Sequence, residues 1–116
     1  MPRRSNLKTL ALAIGTASMF VFTTAVFADS AAPELRFQNG HFEPSNVTVP
    51  ANTSFKVMVT NADPAAIEFE SFELHRERVV RPGETITVFV PALAPGSYQF
   101  FDDFHHDAPQ GTIVSK

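Results

Sequence analysis

From Leu35 to Val114 the chain alternates apolar and polar positions in short runs, each broken by Pro, Gly or Asn. Alternation of this kind places one face of a strand on a core and the other in water. The clearest run sets Phe55, Val57 and Val59 against Lys56, Met58 and Thr60. Before it, Leu35 and Phe37 lead into the turn Asn39-Gly40, and Val47-Thr48-Val49 stops at Pro50. After it come Ile67-Glu68-Phe69-Glu70, then Val79-Val80 and the turn Arg81-Pro82-Gly83. Threonines alternate with Ile86 and Val88 between Glu84 and Val90; Pro95-Gly96 opens the run Tyr98 to Phe101, and Gly111 to Val114 closes the chain. This spacing predicts an all-β sandwich of about seven or eight strands. Glu73 to Arg78 reads equally as a short helical turn or as an irregular crossover between sheets.

The N-terminal stretch follows another pattern. Arg3, Arg4 and Lys8 precede an uncharged apolar segment from Thr9 to Phe27, and Ala25-Val26-Phe27-Ala28 has the small residues of a cleavage site. Residues 1–28 are therefore expected to be a secretory signal peptide, with 29–116 as one domain exported to the periplasm. An uncleaved anchor is the alternative, because the segment approaches the roughly 20 residues that span a bilayer.

Charge sharpens the picture. All twelve acidic residues lie after Ala28, while three of the nine basic ones lie before it; six against twelve leaves the mature region at −6. That balance argues against nucleic acid as a partner and suits a protein that meets cations. With no cysteine, the domain has no disulfide and depends on a packed core, for which its phenylalanines provide large apolar area. No serine or cysteine nucleophile stands in a recognisable catalytic motif, so the residues predict a binding protein rather than a hydrolytic enzyme.

Several segments together resemble the cupredoxin family: Phe42-Glu43-Pro44 with Val47-Thr48-Val49-Pro50-Ala51-Asn52, then Val57-Met58-Val59-Thr60-Asn61, then Leu93-Ala94-Pro95-Gly96-Ser97-Tyr98-Gln99-Phe100. The resemblance implies a Greek-key β-sandwich. It also implies where copper ligands would stand. The first histidine falls near Ile67, the cysteine at Asp102, the second histidine at His105, and the methionine near Pro109 and Gln110. Only His105 is retained, so a blue-copper carrier, which needs thiolate, two imidazoles and a weak axial ligand, is not expected.

Within that superfamily, Glu68-Phe69-Glu70-Ser71-Phe72-Glu73-Leu74 and Phe100-Phe101-Asp102-Asp103-Phe104-His105 resemble the cupredoxin-like domain of EfeO-type periplasmic iron-uptake proteins, in its stand-alone form. That resemblance implies a metal-binding protein of a ferrous-iron uptake system, carrying copper and/or iron. Its partners would be a membrane iron permease and associated redox proteins, with an accessory role in iron oxidation or handover. The expected ligands are Glu68, Glu70, Asp102, Asp103 and His105, oxygen and imidazole donors suited to iron and cupric copper. Strand phase limits their convergence. Glu68 and Glu70 share one face, and Asp102 and Asp103 point to opposite sides. Asp102, His105 and Glu68 form the preferred first group, with Glu70 and Asp103 as a second site or outer shell. His106 adds a further imidazole. The plainer alternative is a solvated acidic face comprising Glu68, Glu70, Glu73 and Glu77, on a metal-free interaction module. A general periplasmic copper carrier is a weaker alternative, for want of Met-rich or His-rich tracts.

Overall fold

The computed structural model describes residues 32–116 together with Ala11 and Gly15. Apart from Ala11 and Gly15, the expected signal peptide lies outside the described residues, as does its cleavage point. Nine strands form, seven of them where alternation predicts them: β1 (Glu34–Gln38), β2 (His41–Glu43), β3 (Asn46–Val49), β4 (Phe55–Asn61), β5 (Ile67–Ser71), β6 (Arg76–Val80), β7 (Thr85–Val90), β8 (Gly96–Asp102) and β9 (Gly111–Ser115). Among the described residues no helix forms. The count exceeds the expected seven or eight because Asn39 and Gly40 both take positive φ and turn the short β2 back onto β1. The Asp63 carboxylate accepts the N–H groups of both turn residues, which holds this hairpin turn in place. The ambiguous stretch Glu73–Arg78 resolves into a turn, with His75 at φ 53°, followed by β6.

The strands build two sheets, ordered β2-β1-β4-β7 and β3-β9-β8-β5-β6. Leu35, Phe37, Val57, Val59, Ile67, Phe69, Val80, Val88, Phe100 and Ile113 meet between them as the core. At its centre Phe42 lies edge-on to Phe37, Phe69 and Phe100, with ring centroids 4.9, 6.3 and 5.1 Å away. Gly111, paired with Phe100 across β8 and β9, admits no side chain. A Cβ there would stand 2.1 Å from the Phe100 ring, well inside contact distance. This aromatic column reaches the end of the sandwich, where the His105 ring stacks over Phe37 at 6.5 Å.

Asn61 ends β4 fully buried. Its amide donates to the carbonyls of Ala65 and Val80, and its side-chain oxygen accepts the Asp63 N–H. The loop between β4 and β5 is thereby fastened to β6. Met58 accepts a hydrogen bond from Thr87 on β7 and acts as a sheet residue remote from the end where Asp102 stands.

Candidate functional site

β5 and β8 run antiparallel, with Phe69 opposite Asp102 and Glu70 opposite Phe101. Phe69 and Phe100 face the core, so alternation sends Asp102 inward and sends Phe101 and Asp103 outward. Glu68 and Glu70 flank Phe69 and point outward as well. The five expected ligands therefore separate onto the two faces of one sheet.

On the inner face Asp102 is enclosed, its side chain having no solvent exposure. One carboxylate oxygen accepts the N–H groups of Glu68, at 2.9 Å, and Phe104, at 3.0 Å. The other meets Nδ1 of His105 at 2.5 Å. The turn after β8 makes this pairing possible, because His105 N–H bonds back to the Asp102 carbonyl and Asp103 N–H to the Glu68 carbonyl. Hydrogen bonds to a carboxylate are shorter and stronger than neutral ones. Among the described residues every buried side-chain N or O atom has a partner.

A blue-copper centre does not fit this end of the sandwich. Ile67 stands fully buried in the apolar core where a first imidazole would be needed, and Gln110 is exposed. Nδ1 of His105 and the Asp102 carboxylate are in direct hydrogen-bond contact, at 2.5 Å. Glu68 contributes its backbone N–H here while its carboxyl lies on the opposite face, so Asp102, His105 and Glu68 are not brought together as a ligand group.

On the outer face Glu68 and Glu70 of β5, Glu77 of β6 and Asp103 form a carboxylate cluster. Glu77 lies directly opposite Glu70 in the hairpin. The Glu68 carboxyl is pushed up to about 7, chiefly by its hydrogen bond to Glu77, then by burial, then by the charges of Glu77, Asp103 and Glu70. Burial raises the Glu70 carboxyl first, and the charges of Asp103 and Glu77 add to it. His106 opposes the rise, and a hydrogen bond to Asp103 favours it. Like charges opposite one another on a sheet repel, and that repulsion helps to raise both carboxyl groups. His106 approaches Asp103 at 3.5 Å. Arg76 forms no ion pair with the cluster. Its guanidinium donates to the backbone carbonyls of Phe89, Leu74 and His75. Among the described residues no Lys or Arg pairs with a carboxylate, and no three His, Asp or Glu side chains already stand as a ligating group.

Sequence reasoning left Glu77 out of the ligand set because β6 was not recognised. The β5–β6 register is the signal that places it. His41, expected at a strand edge, lies on β2 with Nε2 2.7 Å from Glu43, which raises its pKa, aided by the Asn39 carbonyl. His75 lies exposed in the β5–β6 turn.

The family description "cupredoxin-like domain" matches residues 10–115. An uncharacterized protein of Rickettsia prowazekii, RP394, is 41% identical over 81 residues, which is 70% of this chain and 65% of that relative's length. Solved structures of the same fold include a purple cupredoxin from Nitrosopumilus maritimus (TM-score 0.56, 16% identity, 72% of this chain and 99% of that one). The metal-binding domain of the Cu(I)-exporting ATPase of Streptococcus pneumoniae, solved with Cu(I), aligns with TM-score 0.64 and 12% identity over 72% of this chain and 82% of that one. Amicyanin from Paracoccus versutus aligns with TM-score 0.59 and 13% identity over 78% of this chain and 86% of that one.

Proposed function

The chain belongs to the family of cupredoxin-like domains, and from that premise we propose that it binds a copper or iron cation outside the position where the family's blue-copper members hold theirs. The cation is taken by the outer carboxylate cluster of Glu68, Glu70, Glu77 and Asp103, with His106 at its margin. The observation that carries this reading is the β5–β6 register, which sets Glu77 opposite Glu70 and crowds it against Glu68 and Asp103, raising the Glu68 carboxyl to about 7. A divalent or trivalent cation that displaces the Glu68 proton relieves the repulsion among four carboxylates. Oxygen donors with one imidazole suit cupric copper and either state of iron. Asp102 and His105 serve this cluster indirectly, since Asp102 holds the Glu68 backbone and so fixes the strand that carries two of its members.

In the cell we place the protein in the periplasm, as a stand-alone EfeO-type cupredoxin of a ferrous-iron uptake system. There it would take up iron as cargo and assist its oxidation or pass it to a membrane permease and its redox partners. The resemblance of the acidic β5 segment and the Asp-Asp-Phe-His turn supports this placement. Support for the cargo role also comes from the exposure of Asp103 and His106, 37% and 77%, which leaves the cluster open for exchange.

Calorimetric titration of the mature protein with cupric, ferric and, without oxygen, ferrous ions tests the reading. The expected result is saturable binding at neutral pH that releases roughly one proton per ion, because ligands must deprotonate, with no intense blue colour. Glu68→Gln with Glu77→Gln should abolish it. Absence of binding to all three ions, or binding that survives the double substitution, refutes the proposal.

A second reading is favoured by the Asp102–His105 pair, which closes the end of the sandwich with the protein's own hydrogen bonds. On that reading the domain is an interaction module, and Glu68→Gln with Glu77→Gln would leave its cellular role intact.

A further inference from the structure

Among the described residues three phenylalanines stand exposed, Phe104 in the turn after β8 and Phe72 and Phe89 beside opposite sheets of the sandwich. Phe89, on β7, is 62% exposed and carries the Lys56 ammonium over its ring at 5.5 Å. Phe72, just beyond β5, is 70% exposed, and four carboxylates, Glu70, Glu73, Glu77 and Asp103, outnumber the one arginine, Arg76, in the hollows it borders. Its ring rests against Phe101 at 5.1 Å and 59°, so it is a fixed ridge rather than a loose side chain. On one side of the ridge a hollow of about 260 Å³ is lined by Phe101, Glu73, Asp103, His106 and Gln110. On the other side a second hollow of about 400 Å³ is lined by Glu70, Glu77, His75 and Arg76. The cation that lines it, Arg76, is committed to three backbone carbonyls.

We infer that this face is a docking surface for a basic, extended segment of a partner protein, which lays an apolar or guanidinium-bearing side chain across Phe72 and sets further basic side chains into the acidic hollows on either side. Charge complementarity selects the occupant. An acidic segment would meet Glu70, Glu73, Glu77 and Asp103, and a purely apolar one would desolvate those carboxylates without replacing their water. A cation over an aromatic ring is attracted by the negative face of the ring, and the carboxylates beside it add to the attraction. Within this same molecule Phe89 has such a cation, supplied by its own chain, whereas among the described residues no cation lies over the Phe72 ring. The inference goes beyond the metal reading and does not need a bound ion.

The test uses isotope-labelled mature protein in chelator, titrated with an alternating Arg–Leu octapeptide and followed by amide chemical shifts. Glu–Leu and Ser–Leu peptides of equal length are the controls. The Arg–Leu peptide should shift residues 70–77 and 101–106 saturably, more weakly as salt is raised. Phe72→Ser should weaken binding about tenfold and Phe72→Tyr should retain it, in keeping with a ring-face contact; Phe89→Ser should change nothing. Equal shifts with the Glu–Leu or Ser–Leu peptide, no saturable shift with Arg–Leu, or unchanged binding in Phe72→Ser would overturn the inference. Because chelator is present throughout, failure of metal binding leaves this result intact, and failure here leaves the metal titration intact.

Discussion

Asp102 and Asp103 are adjacent in the chain and live in opposite surroundings. Asp102 turns inward and finds three donors, the N–H groups of Glu68 and Phe104 and the His105 ring. Asp103 turns outward and finds other acids, Glu68 and Glu70, with His106 at 3.5 Å as the opposing charge. The first is a finished structure that needs nothing more. The second is a store of unrelieved charge that a proton, a cation or a basic partner can relieve. A carboxylate becomes structural or available according to what surrounds it, and one step along a strand is enough to change which.

The largest expected effect comes from removing the inner carboxylate. Asp102→Ala should lower stability by about 3 kcal/mol, since three hydrogen bonds worth about 1 kcal/mol each are lost in a closed site. Asp103→Ala should be neutral or mildly stabilising at neutral pH. Chemical denaturation of the two variants side by side measures the contrast, and equal losses would break it. His105→Ala should be milder, about 1 kcal/mol, because Asp102 keeps its two backbone donors and water can reach the vacated position from the exposed side of the ring. A loss as large as that of Asp102→Ala would mean that the pair acts only as a unit.

A third contrast separates the regions by pH. The Glu68 carboxyl is raised from 4.5 to about 7 in the folded protein, so the folded state holds that proton more tightly than the unfolded chain. Its stabilising contribution is therefore full below about pH 4.5 and is lost as pH rises to about 7. Thermal unfolding of the metal-free protein should show a melting temperature that falls across this window. Glu77→Gln should flatten that slope, by removing the facing charge and bringing Glu68 back toward the ordinary carboxylate range. A slope unchanged by the substitution would show that the outer cluster is not its source.

Much of the fold was legible in the alternation. Seven of the nine strands coincide with runs read directly from the residues, and the sandwich follows from their two-sided character. β2 escaped notice because three residues are too few to show a period, and β6 because Arg76, Glu77 and Arg78 carry no apolar alternation. The missed β6 had a consequence for the site. Without its register, Glu77 looked like one more surface acid rather than the hydrogen-bonding partner of Glu68. The phase argument that put Asp102 and Asp103 on opposite sides agrees with the structure, as does the expectation that Glu68 and Glu70 share a face.

By composition and order alone this chain determined an acidic, cysteine-free β-sandwich, because those properties depend on which residues are present and how they alternate, and its resemblance to cupredoxins implied the loss of the thiolate, first imidazole and thioether of a copper site. Tertiary structure alone decided which carboxyl groups are satisfied and which are crowded. Donors and like charges arrive from strands that are distant in sequence, and a carboxylate's environment depends on cross-strand register and on the solvent that the sheets exclude.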